Sequence, residues 1–415
     1  MCLLVLSLYG HPESGAIWES HCSKICSEDF VLVPGNPGTW KHKTLPATLN
    51  IYVDDFALTA NDNDSRIIWR KLEQKISFKD PAEPIGRYLG AYYSTSRVGK
   101  LTNCSTTMEE FFVDMVERYK KEVGVKSLPK VDTPYLDEDF DEHEESKLKK
   151  SSASHLMKGM FGARIARPDS LPAICLLARR ISKWTVSHDK MLRRRMSYLE
   201  HFSGLELTGC LSTDDLDVVE LWFWPDADLG GDLSTTKSTS GFWLELSTPD
   251  GSRCWPLAWG CAKQSTTATS TCESETKTVI AGLEGEAFTS ETKADLASIT
   301  GALKKTVIAT LGMLEFCLGR PVKLVIQEDN SQCITAVKRG YSPALRYLQR
   351  HCRMDLGFSN EVVMGYYPDG SKMYLSEIRH AGTATHKGDF LTKPLDRSKF
   401  GNAKRLIGMQ TKSKS

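Results

Sequence analysis

The order of apolar segments after Leu205 constrains the fold more than any other feature of the sequence. Three apolar runs separated by turn residues come first, at 218–224, 241–246 and 255–260. One or two helices are expected between residues 273 and 318, followed by an alternating strand at 322–329 and a helix from about Ser331. Three strands, a helix, a strand and a helix predict an α/β domain with a mixed sheet.

Composition narrows the class of protein but indicates no partner. The chain has 415 residues, 40% hydrophobic and 25% charged, which is typical of a soluble globular protein with two or three domains. Its net charge of +1 means that nucleic-acid binding would depend on local basic patches. The 12 scattered cysteines favour a reducing compartment. We find no apolar run of membrane-spanning length and no signal-peptide pattern at the start of the chain.

The composition changes along the chain and predicts three parts. Residues 48–60 are expected to form a strand, an acidic turn with Asp54 and Asp55, and a second strand. Residues 128–150 contain two prolines and an acidic run, which predict a solvated linker. Helical spacing returns at 151–202. The expected parts are 1–127, a linker and helical connection at 128–204, and a domain at 205–415.

Four acidic residues stand at predicted strand ends or in helical segments, and they are Asp226, Glu275, Asp329 and Asp389. Taken singly, each is more often a cap or turn residue. Brought together, they could hold two Mg²⁺ ions about 4 Å apart, as two-metal hydrolysis of a phosphodiester requires. Mg²⁺ prefers oxygen ligands, and it would relieve the repulsion among the carboxylates. Asp228 is an alternative to Asp226, although Asp226 is better placed at the strand end.

Short motifs occur in a consistent order along nearly the whole chain. They are LYGHPESG at 8–15, YVDD at 52–55, YLG at 88–90, RPD at 167–169, PDADLGGD at 225–232, KSTSG at 237–241, EDNS at 328–331 and DFLTKPL at 389–395. YVDD alone would be a weak signal, but the ordered set is specific. The chain resembles copia-type retrotransposon Pol polyproteins over the C-terminal part of reverse transcriptase and the ribonuclease H that follows.

This resemblance implies an architecture and a set of metal ligands. It implies an α/β (α+β) chain in three parts, a truncated reverse-transcriptase palm at 1–127, the connection at 128–204 and a ribonuclease H-like mixed-sheet domain at 205–415. The metal ligands and catalytic residues would be Asp226, Glu275, Asp329 and Asp389, binding two Mg²⁺ or Mn²⁺ ions. Alignment with the family's motif favours Glu275 over Glu273 without excluding the latter. Asp54 and Asp55 would form a residual polymerase metal site.

The resemblance also implies a function and partners. We expect a ribonuclease H-type endonuclease that cleaves RNA in RNA–DNA hybrids, in a cytoplasmic virus-like particle or in the nucleus. The family's third polymerase aspartate precedes the LYG motif, so we expect no polymerase activity from this chain alone. We hypothesise a truncated genomic copy, or one completed by a second polyprotein chain. The expected nucleic-acid contacts are Tyr52, Arg193, Arg194, Lys237 and His351, the last of which could equally be a surface histidine.

Two other functions stay open at this point. One is a non-catalytic remnant that binds nucleic acid, and the other is a domesticated host interaction protein whose acidic linker recruits a partner. Four acidic positions retained in one chain favour the hydrolase, because a freely drifting remnant has no need for all of them. We therefore take ribonuclease H activity as the leading hypothesis.

Overall fold

The computed structural model describes residues 10–139, 143–232, 234–264, 267–268, 270–284, 307–345 and 356–411. Within these ranges the chain has a mixed α/β fold with three sheets. None of the helices in these ranges is long and apolar enough to cross a lipid bilayer. His351 and the first two residues of the motif at 8–15 lie outside the described residues. The nucleic-acid contact expected at His351 therefore stays a prediction.

The described segments form eleven helices and fourteen strands. The helices are α1 (Ser14–Asp29), α2 (Asp62–Glu73), α3 (Glu109–Val123), α4 (Lys149–Ile165), α5 (Leu171–Ala178), α6 (Val186–Phe202), α7 (Thr271–Glu284), α8 (Val307–Leu318), α9 (Ser331–Arg339), α10 (Leu356–Met364) and α11 (Arg397–Leu406). The strands are β1 (Phe30–Leu32), β2 (Thr39–His42), β3 (Thr48–Tyr52), β4 (Asp55–Thr59), β5 (Arg87–Tyr88), β6 (Ala91–Val98), β7 (Leu101–Thr107), β8 (Leu205–Ser212), β9 (Glu220–Asp232), β10 (Lys237–Ser247), β11 (Cys254–Lys263), β12 (Leu324–Glu328), β13 (Ser376–His380) and β14 (Met409–Thr411).

The chain divides into two compact units. The first contains the residues up to Leu89 together with Ala309–Arg320, and the second begins at Gly90 and contains most of the rest. This division separates regions of dense contact and does not assign functions to them. The functional boundaries expected after residues 127 and 204 therefore stay a prediction.

The first unit contains a four-stranded antiparallel sheet in the order β1-β2-β3-β4. The predicted strand, acidic turn and strand are confirmed, because β3 and β4 pair with Tyr52 opposite Asp55. At the tip of this hairpin Val53 has a φ of 56°, in the left-handed region that a β-branched residue rarely adopts. The core of this unit includes Cys22 and Cys26, so these thiols act as small apolar side chains.

The second unit contains a five-stranded mixed sheet in the order β11-β10-β9-β12-β13. Strands β9, β10 and β11 are antiparallel, whereas β12 runs parallel to both β9 and β13. Helix α7 packs on β9 and β10, and a side chain at Gly282 would collide with the Phe223 ring. The mixed sheet and the predicted order of three strands, helix and strand are confirmed.

A second sheet of this unit joins segments that are distant in the sequence. Strands β14, β8, β7 and β6 follow one another in it, and each neighbouring pair is antiparallel. Strand β8 opens the region expected to be ribonuclease H, while β6 and β7 precede the acidic segment. The C-terminal β14 returns to the free edge of β8, so this sheet holds together both sides of the helical connection.

The helical spacing expected at 151–202 is confirmed by α4, α5 and α6, but the expectation of a solvated linker at 128–150 was wrong in part. Leu128, Thr133 and Tyr135 are buried. The Glu138 carboxylate pairs with Arg180 at 2.9 Å and with His188 at 3.0 Å. Buried residues before the acidic run anchor this segment, and the guanidinium of Arg180 neutralises Glu138.

The RPD motif forms a buried ion pair within this helical region. The side chains of Arg167 and Asp169 are fully buried, and two guanidinium nitrogens each donate to one carboxylate oxygen at 2.8 Å. The Tyr198 hydroxyl donates to Asp169 at 2.6 Å, and Arg167 also donates to the Phe202 carbonyl at 2.7 Å. Burial alone would raise the pKa of Asp169, but Arg167 and Tyr198 hold it below its usual value.

We predict that Asp169→Asn destabilises the protein by about 3–5 kcal/mol, because it leaves the Arg167 guanidinium buried without a counter-ion. The control is Asp114→Asn, which breaks an exposed pair with Arg118 and should cost about 1 kcal/mol or less. Urea unfolding measures both. Since the folded pKa of Asp169 is depressed, its contribution should be lost as pH falls through that pKa. Equal losses in the two variants would contradict this account.

Candidate metal centre

Three predicted carboxylates meet where β9, β12 and α7 come together. Asp226 lies in β9, Glu275 near the start of α7, and Asp329 directly follows β12. Leu221–Phe223 of β9 pair in parallel with Leu324–Ile326 of β12, so the chain leaves both strands at the same edge of the sheet. Oxygen atoms of the three carboxylates all lie within 4.8 Å of one another, and no other such group occurs in the described ranges.

The electrostatics of this group favour a bound cation. Burial raises the pKa of Glu275 well above its usual value, and the charges of Asp226 and Asp329 raise it further. Burial likewise raises the pKa of Asp226. The buried Oε2 of Glu275 has no hydrogen-bond donor. An all-oxygen donor set with an unpartnered carboxylate oxygen suits Mg²⁺, so these residues fit the expected metal.

The fourth predicted ligand, Asp389, lies next to this group but not within it. It opens the short 3-10 turn Asp389–Leu391, and its charge raises the pKa of Asp226. Its carboxylate pairs with the ammonium of Lys393. The carboxylates of Asp226, Asp389 and Asp329 together raise the pKa of that lysine against the opposing effect of its burial. The ammonium of Lys393 thus partly neutralises the negative charge of these carboxylates.

The structure separates the two alternatives that the sequence left open. Glu273 is fully buried and pairs with Lys277 at 2.6 Å, one helical turn away, whereas Glu275 belongs to the carboxylate group. Asp228 accepts the backbone N–H of Thr239, and burial raises its pKa to about 6. Of the paired candidates, Glu275 and Asp226 are therefore the ones whose carboxylates lie close to Asp329, and their role as metal ligands stays a prediction.

Sequence reasoning missed a further buried carboxylate, Glu328, which directly precedes Asp329. Its Oε1 accepts the backbone N–H of Asn330 at 3.0 Å, but its buried Oε2 has no donor. Its charge raises the pKa of Glu275, and burial raises its own pKa well above the usual value. The sequence did contain a signal for Glu328, because it is a second acidic residue at the end of an alternating strand. The resemblance based on the EDNS motif assigned a metal role to Asp329 alone.

The predicted polymerase residues occupy an exposed hairpin tip in the first unit. Asp54 and Asp55 are exposed and Tyr52 is half-buried at the turn between β3 and β4. In the described part of the chain they join no third acidic residue in a metal-binding group. The metal role of the two aspartates and the nucleic-acid role of Tyr52 stay predictions.

The predicted basic contacts differ in their accessibility. Arg193 is exposed on α6, whereas Arg194 donates to the carbonyl of Thr133 at 2.9 Å and to its hydroxyl at 3.1 Å. Lys237 is half-buried at the start of β10. Arg194 thus anchors the acidic segment to α6, while Arg193 is better placed to meet a partner. Nucleic-acid contact by these three residues stays a prediction.

Comparison with known proteins shows which proteins the chain is similar to. No protein-family model matches the chain. It is 25% identical over 370 residues to the retrovirus-related Pol polyprotein from transposon RE1 of Arabidopsis thaliana, a match that covers 86% of this chain and 21% of that protein. It is 31% identical over 118 residues to secreted RxLR effector protein 161 of Plasmopara viticola, which covers 28% of this chain and 75% of that protein.

A similarity to a solved structure is weaker. RNase H1 from the halophilic archaeon Halobacterium salinarum NRC-1 matches with 15% identity and a TM-score of 0.24, over 42% of this chain and 93% of that one. A score this low supports no conclusion about the fold or the site.

The mixed sheet and its carboxylate group define an α/β protein with a candidate divalent-metal centre. The chain is similar to a retrotransposon Pol polyprotein over 86% of its own length, which confirms the resemblance seen in its motifs. It spans 21% of the length of the Pol polyprotein that it matches. What the whole polyprotein does is therefore a separate question from what this chain does.

We predict that Lys393→Gln lowers the melting temperature of the metal-free protein and enlarges the stabilisation by Mg²⁺. Removing the ammonium leaves the carboxylates to repel one another until a cation binds, so a cation that binds only the folded protein should stabilise the variant by more than it stabilises the wild type. Thermal unfolding with EDTA or with Mg²⁺ measures both quantities. Lys399→Gln removes an exposed lysine of α11 and is the control. A wild-type response to Mg²⁺ in Lys393→Gln would contradict the role of this ammonium.

We also predict that the stability of the metal-free protein falls as pH rises. The folded pKa values of Glu275 and Glu328 are raised, so the stability present below their unfolded pKa is lost as pH rises toward the folded values. Urea unfolding between about pH 4.3, the ordinary pKa of glutamate, and pH 8 should show this loss, with a smaller loss in Glu328→Gln. Glu117→Gln, at an exposed position on α3, should behave like the wild type. A flat wild-type profile would be incompatible with the mutual repulsion described here.

Proposed function

We propose that this chain is a reverse transcriptase–ribonuclease H fragment whose Asp226, Glu275 and Asp329 bind Mg²⁺ and support hydrolysis of the RNA strand in RNA–DNA hybrids. The observation that carries the proposal is the convergence of these carboxylates within 4.8 Å in a chain that is similar to a retrotransposon Pol polyprotein. Asp389 is proposed as the fourth ligand. The ribonuclease H-like part is proposed to begin at Leu205, after the helical connection.

Each of the three carboxylate residues has its own role in the proposed chemistry. Asp226 is buried and is oriented by the Thr392 hydroxyl, which donates to it, so its position is well defined. Glu275 offers an unpartnered oxygen to a cation. Asp329 is half-exposed, which leaves one side of the group open to a phosphodiester. Bound divalent ions would supply an activated water and would neutralise charge on the leaving oxygen.

Selection of an RNA–DNA hybrid would come from shape and sugar contacts. The 2′-hydroxyls and the groove geometry of the hybrid distinguish its RNA strand from DNA. Backbone phosphates are the expected partners of Arg193 and Lys237. Contacts of this kind position the substrate without reading its sequence, as a nuclease that acts along a whole transcript needs.

The proposal is tested with the full chain, a labelled RNA–DNA hybrid and Mg²⁺. We predict cleavage of the RNA strand but not of a DNA duplex. Asp329→Asn should lower the rate on the order of a hundredfold or more, because a group that stabilises the transition state is lost. Asp217→Asn, at an exposed acidic position away from the group, should cleave like the wild type.

Two results would count against the hydrolase. Cleavage that persists in Asp329→Asn would assign the activity to other residues or to a contaminant. Binding of the hybrid by the wild type without cleavage in Mg²⁺ or Mn²⁺ would support a non-catalytic nucleic-acid-binding remnant instead.

A further inference from the structure

The segment 386–392, here named the docked turn, carries Asp389 and is held on the mixed sheet. Phe390 and Leu391 are buried in the core of the second unit. Asp389 itself stands outside the group formed by the other three predicted ligands. Its distance from them therefore depends on how the docked turn is anchored.

The strongest anchor is an ion pair between Lys387 and Glu245 of β10. The ammonium lies 2.7 and 2.8 Å from the two carboxylate oxygens. The side chain of Glu245 is 0% exposed and that of Lys387 is 11% exposed. The same carboxylate accepts the indole N–H groups of Trp224 at 3.2 Å and Trp243 at 2.8 Å. A buried carboxylate with this many directional partners has little freedom to move, and it transfers that rigidity to Lys387.

A second anchor ties the docked turn to β12. His386 is buried, and its Nδ1 accepts the backbone N–H of Gly388 at 3.3 Å. The ring proton is therefore on Nε2, which donates to the carbonyl of Gln327 at 2.9 Å. Gln327 lies two residues before Asp329, so this bond joins the docked turn to the strand that carries a predicted ligand.

The third anchor requires a residue without a side chain at Gly241, the glycine of the KSTSG motif. Gly241 of β10 lies opposite Asp226 of β9. A Cβ atom at Gly241 would lie 2.7 Å from Cγ2 of Thr392 and 2.8 Å from Cβ of Leu391. The missing side chain lets the docked turn approach closely enough for the Thr392 hydroxyl to donate to Asp226.

We infer that Lys387, acting through Glu245, is a positioning residue that holds Asp389 where it can join the other carboxylates in binding a second divalent cation. The inference rests on the proposed function in that the group binds such ions. The first ion needs Asp226, Glu275 and Asp329, which lie on β9, α7 and the end of β12. Only the second would take a ligand from the docked turn itself, and metal ligands must be held to within about 0.5 Å.

The test is calorimetric titration of the full chain with Mn²⁺. We predict two bound ions for the wild type. In Lys387→Met the first ion should bind as before, and the second should bind about ten- to a hundredfold more weakly, the usual effect of losing a residue that orients a metal ligand. Gly241→Ala should weaken both ions, because its Cβ would displace Thr392 from Asp226 as well as the docked turn, whereas Gly401→Ala, with open space around it, is the matched control.

A double variant separates positioning from stability. Glu245→Gln with Lys387→Met leaves no buried unpaired charge, so its unfolding midpoint should recover relative to Lys387→Met. Its second-ion affinity should stay low, because the directional contacts are still missing. This variant also keeps the test informative where Lys387→Met alone fails to fold.

The outcomes distinguish this inference from the proposed function. Wild-type affinity for both ions in Lys387→Met would overturn the inference, as would recovery of the second ion together with stability in the double variant. A wild type that binds a single ion would also overturn it and would leave the group of three carboxylates standing. A wild type that binds no Mn²⁺ would sink the proposed function itself.

Discussion

The parallel pairing of β12 with β9 is the constraint on which the candidate metal centre depends. It brings Asp329 to the same sheet edge as Asp226, and α7 then places Glu275 over both. Packing thus holds together carboxylates that repel one another in the absence of a cation. The raised pKa of Glu275 and the ammonium of Lys393 are two responses to this repulsion. Stability and the proposed metal binding are therefore coupled at one point of the fold.

Strands that lie far apart in the sequence pair with one another in the rest of the second unit. The C-terminal β14 pairs with β8, and β8 pairs with β7, which comes from well before the helical connection. A fragment starting at residue 205 would lose β7 and expose an edge of β8, which favours non-native pairing. For this reason the full chain, and not residues 205–415 alone, is the protein to test. The buried pair of Arg167 and Asp169 stabilises the helices between the two sequence regions.

The sequence-based predictions were accurate where the interactions join residues close in the sequence, and less accurate where they join distant residues. Alternating apolar residues and turn signals predicted the mixed sheet and the hairpin at Asp54 and Asp55, because these patterns are local. The solvated linker was wrong in part, since the partners of Glu138 are Arg180 and His188, about forty to fifty residues further along. No local signal in the acidic run indicates that Glu138 pairs with residues so far along the chain.

The sequence by itself determined the resemblance to retrotransposon Pol polyproteins, the order of the strands and helices, and the acidic residues that end strands or open helices. These depend on periodicity and on the order of motifs, which are visible without knowing which residues are in contact in the folded chain. Only the tertiary structure decided that Glu275 rather than Glu273 joins Asp226, that Glu328 adds a buried charge, and that Asp389 depends on a docked turn. Each of these depends on distances across the sheet, where charges act on one another through space and not along the chain.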